Sequence, residues 1–200
     1  PAHYQYSFHQ LATNTQALLK ALGVQKSIVL GHSTGGMLAT RYALQFPDQV
    51  ERLAMVNPIG LEDWKALGVP YRTVDQWYER ELKLSADGIR NYERKTYYGG
   101  RWKPGFERWV DMLAGLNKGP GHTQVAWNSA LIYDMIFTQP VYYEFKDLTV
   151  PTLLLIGTSD TTAIGSDIAP PAVKAKLGRY EVLGKQVAGL IPRSTLVEFP

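Results

Sequence analysis

The sequence predicts an α/β fold in which helices flank a parallel sheet and a helical segment is inserted between two sheet-forming parts. Three observations carry this reading. Residues 7–56 switch three times between helical and strand periodicity; residues 61–146 lose the strand pattern and hold 16 of the chain's 23 aromatic residues; and a strand pattern resumes at Val150. The boundaries that follow are a first sheet part over 1–60, a helical insert over 61–146 and a second sheet part over 147–200.

The first helix is opened by Ser7, which with Gln10 three residues later reads as a capping box, and Phe8, Leu11, Ala12, Thr15, Leu18, Leu19 and Leu22 recur at helical spacing until Gly23 stops it. Ser27-Ile28-Val29-Leu30 is apolar without alternation, which predicts a strand buried on both faces of a parallel sheet. Met37, Leu38, Tyr42 and Phe46 give a second helix ending by Pro47, and Arg52–Val56 a second strand closed by Asn57-Pro58. Within the insert, Thr73 with Gln76, the pair Gly99-Gly100, and Pro104 ahead of Phe106 and Trp109 divide the segment into several short helices. Val150–Gly157 is the third strand, Pro170-Pro171 and Tyr180–Leu190 mark two helices, and Ser194–Phe199 is the last strand.

Composition narrows the function classes. With 45% hydrophobic and 20% charged residues the chain buries a real core, and its net charge of +3 is scattered without a phosphate-tracking run, so nucleic acid is not an expected partner. The absence of Cys excludes thiolate metal sites, cysteine nucleophiles and disulfides, and no H-E-x-x-H pattern suggests a metal. Apolar runs such as Leu153–Ile156 fall far short of the roughly 20 residues of a transmembrane helix. The chain begins at Pro1, not Met, so a signal peptide upstream is not visible and the compartment stays open, with the cytoplasm as default.

The residues with chemistry are Gly31-His32-Ser33-Thr34-Gly35. They match G-x-S-x-G between a strand and a helix, the setting of a nucleophile elbow. A turn this sharp forces the serine into a sparsely allowed conformation, and small residues around it, here Gly31, Gly35 and Gly36, let the chain approach itself. His32 occupies the x before the serine, and as a neighbour on a strained turn it is expected to point away from the hydroxyl.

With elbow, helical insert and later strands in this order, the whole chain resembles the α/β-hydrolase superfamily, and within it the serine hydrolases with a helical cap. The resemblance implies a partial α/β-hydrolase fold, Ser33 as nucleophile and the Thr34 N–H as one oxyanion-hole donor. It also implies a triad acid in a Gly-x-x-Asp turn after the third strand, which Gly157-Thr158-Ser159-Asp160 supplies at Asp160. Relatives that carry the acid after the preceding strand would place it at Asn57, which cannot hold the charge, and Asp63 is the fallback. Chain order in the family is Ser, acid, His, but no His follows Asp160; His3 and His9 lie before or on the first helix, and His122 reads as a solvated loop residue. The triad His is therefore expected beyond Pro200, the first strands and the second oxyanion donor before Pro1, and the 200 residues alone are expected to be inactive.

The implied function is cofactor-free acyl-enzyme hydrolysis of an ester with an apolar or aromatic group, with Trp102, Trp109 and Trp127 as candidates to roof the site. Acyl transfer and C–C bond hydrolysis use the same machinery. Ser in place of Asp at the elbow argues against alkyl-ester chemistry of the epoxide hydrolase and dehalogenase kind. A non-catalytic ligand-binding protein on the same fold is the alternative from another class.

Overall fold

The computed structural model describes residues 4–200; His3 lies outside the described residues. In chain order the elements are α1 (Phe8–Ala21), β1 (Ser27–His32), α2 (Thr34–Gln45), β2 (Val50–Val56), α3 (Val74–Leu82), α4 (Ala86–Thr96), α5 (Glu107–Leu116), α6 (His122–Thr138), β3 (Thr152–Gly157), α7 (Pro171–Lys174), α8 (Tyr180–Leu190) and β4 (Ser194–Phe199). The four strands form one parallel sheet in the order β1-β2-β3-β4. This is the fold class read from the sequence. No helix among the described residues is long and apolar enough to cross a membrane.

Helix termini follow local chemistry. The Ser7 hydroxyl accepts the Gln10 N–H at 3.0 Å, but the expected capping box is only half made, because the Gln10 amide turns along the helix to donate to Asn14 at 2.8 Å. At the far end Gly23 adopts φ +74°, its N–H reaches Lys20 O at 3.1 Å and Val24 N–H reaches Leu19 O at 2.9 Å, a Schellman stop. The reciprocal box does form at α3, where Thr73 and Gln76 exchange both bonds.

The register aligns Gly31, Met55, Leu154 and Leu196 across the sheet, so these residues share one face. Both α2 and α8 cover that face: Thr40 Oγ1 lies 3.2 Å from Met55 Sδ, and a Cβ on Gly184 would sit 3.0 Å from Ile156. The opposite face carries Ile28 and Leu30, which are 64% and 66% exposed, with Val197 and Phe199 also open. The expectation that β1 is buried on both faces does not hold in this chain. Among the described residues α2 and α8 both lie on the Met55 face, which leaves the face of Ile28 and Leu30 open.

Contacts divide the chain into a sheet unit, Pro1–Val69 with Met135–Pro200, and a helical unit, Pro70–Asp134. The helical unit is shorter than the segment 61–146 that lacks strand periodicity, since Leu61, Trp64, Val69, Val141 and Phe145 pack into the core of the sheet unit. Loss of strand pattern marks the end of a strand, not the surface against which the next apolar residues pack. Inside the helical unit aromatic stacking is prominent: Trp77 lies on Tyr133 at 4.4 Å between centroids and Tyr98 on Phe106 at 3.7 Å.

A partly buried ion pair ties the sheet unit together. Arg41 on α2 is buried, and its guanidinium forks onto Glu144, donating from Nη1 to Oε1 at 2.8 Å and from Nη2 to Oε2. The Arg41 hydrogen bonds hold the Glu144 carboxyl below its ordinary value, so the pair contributes fully above the ordinary value and loses this contribution as pH falls through the lowered one. Glu144→Gln is expected to lower unfolding free energy at pH 7 by about 1–3 kcal/mol, less than for a fully buried pair because the Glu144 side chain is 39% exposed. The difference should begin to narrow as pH falls past the ordinary carboxylate range and close only below the lowered Glu144 value in urea titrations; a constant gap from neutral to acid pH would show that the charge is not responsible.

Candidate active site

The site is built at the carboxyl ends of the strands. After β1 the chain turns from strand to helix within one residue, and Ser33 is held at φ +54°, ψ −121°, outside the regions favoured by a residue with a Cβ. Such strain costs about 1–3 kcal/mol and persists only where the surroundings over-determine it. Here the Ser33 N–H donates to Val56 O at 3.2 Å, and its carbonyl accepts from Gly36 at 2.9 Å and Ile59 at 3.2 Å.

Sterics then explain the glycines, with one change from the motif. A Cβ on Gly31 would lie 2.1 Å from the Gly35 carbonyl oxygen, and one on Gly36 would lie 2.4 Å from Pro58 Cβ. A Cβ on Gly35 would meet nothing within 4 Å. The close approaches are thus made at Gly31 and Gly36, and Gly35 contributes its backbone to the crossing with Gly31. Thr34 opens α2, where the first-turn N–H groups lack intrahelical acceptors and the helix dipole favours negative charge. His32 is exposed.

Asp160 follows β3, two strands from β1 in a sheet whose neighbouring strands are about 4.8 Å apart. Its two carboxylate oxygens have separate donors: Oδ1 accepts from Thr162 N–H at 2.8 Å and Thr162 Oγ1 at 2.7 Å, and Oδ2 from Asn57 Nδ2 at 2.8 Å. Asn57 in turn accepts the Gly157 N–H on Oδ1 at 2.8 Å, so the backbone donor fixes which way the amide faces and leaves its NH₂ for the carboxylate. Asn57 itself sits at φ +38°, a left-handed conformation that asparagine tolerates better than most residues. In the sequence Asn57 stands only where some relatives carry the acid, a role an amide cannot fill. Its link to Asp160 joins residues 103 apart, and the one local sign was an Asn-Pro pair directly after a strand.

The remaining sequence candidates lie elsewhere. Asp63 caps its own turn through Ala66 N–H at 3.2 Å and accepts the Tyr143 hydroxyl at 2.8 Å. It also lines a cavity of about 310 Å³ with Leu61, Leu67, Tyr142, Arg179 and Leu183, which does not include Ser33 or Asp160. His122, expected in a solvated loop, instead opens α6 half-buried, with Nε2 3.3 Å from Leu82 O; a helix starting directly after Gly121 draws the ring inward. His9 is exposed at the start of α1. Trp102 donates to Glu107 at 3.3 Å and packs beside Ile89 and Val110, Trp127 meets Tyr78 edge-on, and Trp109 is exposed on α5. Among the described residues no three His, Asp or Glu side chains converge as metal ligands.

Comparison with known proteins agrees with this architecture. The chain superposes on a probable hydrolytic enzyme from Pseudomonas aeruginosa with a TM-score of 0.98 and 66% identity, covering all of this chain and 64% of that one. An esterase from Exiguobacterium antarcticum shares the fold at a TM-score of 0.66 and 17% identity, over 98% of this chain and 66% of the esterase. Among curated proteins, a human (lyso)-N-acylphosphatidylethanolamine lipase is 39% identical over 96 residues, 48% of this chain and 28% of the lipase. A human 1-acylglycerol-3-phosphate O-acyltransferase is 40% identical over 57 residues, 28% of this chain and 16% of that protein. The chain thus spans less than a third of the length of these curated relatives. The family model described as alpha/beta hydrolase fold matches residues 1–169, and the strained serine between β1 and α2 lies inside that match; the chain belongs to the alpha/beta hydrolase fold family.

Proposed function

We propose that this chain carries the nucleophile and the acid of a serine hydrolase acting on small-molecule esters with an apolar acyl or alcohol group. The observation that carries the reading is Ser33 at φ +54°, a strained conformation maintained at the head of a helix where Gly31 has no room for a Cβ. In this mechanism Ser33 Oγ attacks the ester carbonyl carbon and its proton passes to an imidazole. The oxyanion forms beside the Thr34 N–H, the alcohol leaves with that proton, and water then cleaves the acyl-enzyme. Asp160, held by Asn57 and Thr162, orients the imidazole and stabilises its charged form. Two strand spacings separate the elbow from the acid by about 10 Å, which leaves space for an imidazole hydrogen-bonded on both sides.

The similarity to an acyltransferase over 57 residues favours one second reading, in which an alcohol takes the place of water at the acyl-enzyme. A fluorophosphonate probe tests the nucleophile in both cases: labelling of the full-length protein at Ser33 supports them, and an unlabelled serine leaves a ligand-binding role. Product analysis with water and an alcohol in competition separates hydrolysis from transfer.

The described part of the chain brings no imidazole into hydrogen bonding with Ser33, and Ile28, Leu30, Val197 and Phe199 expose an apolar sheet face. Residues 1–200 expressed alone are therefore expected to show no p-nitrophenyl ester hydrolysis above background and to associate through that face. A monomer with a sharp melt and measurable turnover would contradict this.

A further inference from the structure

Helix α5 has two apolar faces. Val110 and Ala114 are buried beside Ile89 of α4, while Trp109, Met112, Leu113 and Leu116, at spacings i, i+3, i+4 and i+7, form a second stripe that faces water. Met112 and Leu116 are 58% and 56% exposed. A helix packs its own unit with one stripe, so the second has no role inside the fold.

The segment that carries this stripe is basic as a whole, although α5 itself holds Glu107 and the exposed Asp111 beside Arg108. Residues 86–118, from α4 to just beyond α5, contain seven cations and four carboxylates, a net charge of +3 that equals the excess of the whole chain. One of the four carboxylates, Glu93, is buried, and burial pushes its pKa up, while Arg94, Lys95, Arg101, Lys103, Arg108 and Lys118 are exposed. The Arg108 guanidinium lies over Trp109 at 4.4 Å from the ring centroid, so a cation stands beside the aromatic end of the stripe.

We propose that this face of α5 docks on the surface of an anionic lipid bilayer, with the Trp109–Leu116 stripe entering the headgroup boundary and the surrounding Lys and Arg side chains meeting lipid phosphates. An exposed apolar stripe with an indole and flanking cations is what lets a helix lie in a membrane interface. A second copy of the chain is a poorer occupant, because a self-complementary contact would set one +3 patch against another.

The test is co-sedimentation of the full-length protein with vesicles of equal parts phosphatidylglycerol and phosphatidylcholine, against vesicles of phosphatidylcholine alone. Binding is expected to the anionic vesicles only, weakening as salt is raised. The double variant Met112→Gln/Leu116→Gln should reduce partitioning about tenfold or more with an unchanged melting curve, and Lys103→Glu/Lys118→Glu should reduce it again by reversing charge alone. Ser33→Ala should bind as the unaltered protein does, which separates this surface from the proposed chemistry. Equal binding to neutral vesicles, full binding by the Gln variant, or a dimer that the Gln variant dissociates would overturn the proposal. So would a raised KM of the Gln variant for a soluble short-chain ester, since the stripe would then line the substrate path.

Discussion

Replacing Ser33 by Ala is expected to lower ester turnover of the full-length protein by at least about 10³, with no loss of folded stability. Both halves of this expectation follow from the elbow. Alanine keeps the Cβ, and the backbone at φ +54° is fixed by bonds to Val56, Gly36 and Ile59 that do not involve the hydroxyl. The loss therefore falls on chemistry alone. Ser33→Gly sharpens the test, because glycine adopts this conformation freely: it should be equally inactive yet more stable by about 1 kcal/mol. Steady-state kinetics and thermal melts of the two variants check this. Turnover within tenfold of the unaltered protein would remove Ser33 from the reaction, and a Gly variant that melts lower would show that the residue is not strained.

Asp160→Asn is expected to cost about 10⁴ in kcat without unfolding the protein. The substitution keeps the shape but reverses part of the hydrogen bonding, since an amide NH₂ would face donors at Asn57 Nδ2 or at Thr162. Loss of charge removes the stabilisation of an imidazolium, and loss of acceptors removes the orientation. Asn57 offers a second, separable handle. Asn57→Gly deletes the amide while suiting the φ of +38°, so the carboxylate would keep its charge and its Thr162 donors but lose its lateral restraint. About a tenfold fall in kcat with little change in KM is expected for a group that acts only by positioning. If Asp160→Asn stays active while a change at Asp63 abolishes turnover, the acid is misassigned.

Several features were legible because they are local. The Ser7 and Thr73 caps, the glycine stop at Gly23, the strands and the G-x-S-x-G turn each need only a few neighbouring residues, and the structure places them within a residue or two of their expected positions. The family also followed, because the strand, elbow and helix are contiguous and their order along the chain is itself a topological statement. Caps such as Ser7 and Thr73 are read well for the same reason: donor and acceptor lie three residues apart, and no tertiary event is needed to bring them together.

What only the tertiary structure decided involves residues brought together from far apart. The Asn57 link to Asp160 depends on β2 and β3 being neighbours in register, and the Arg41–Glu144 pair likewise joins residues 103 apart. The exchange of roles between Gly35 and Gly36 depends on where Pro58 returns beneath the helix. The exposure of Ile28 and Leu30 depends on α2 and α8 choosing the same sheet face. Sequence by itself determined the elements, their order and the residue types that could act, because backbone propensity and periodicity are short-range. Which oxygen each donor meets, and which apolar faces remain open, were decided by packing, a property of pairs distant in the chain.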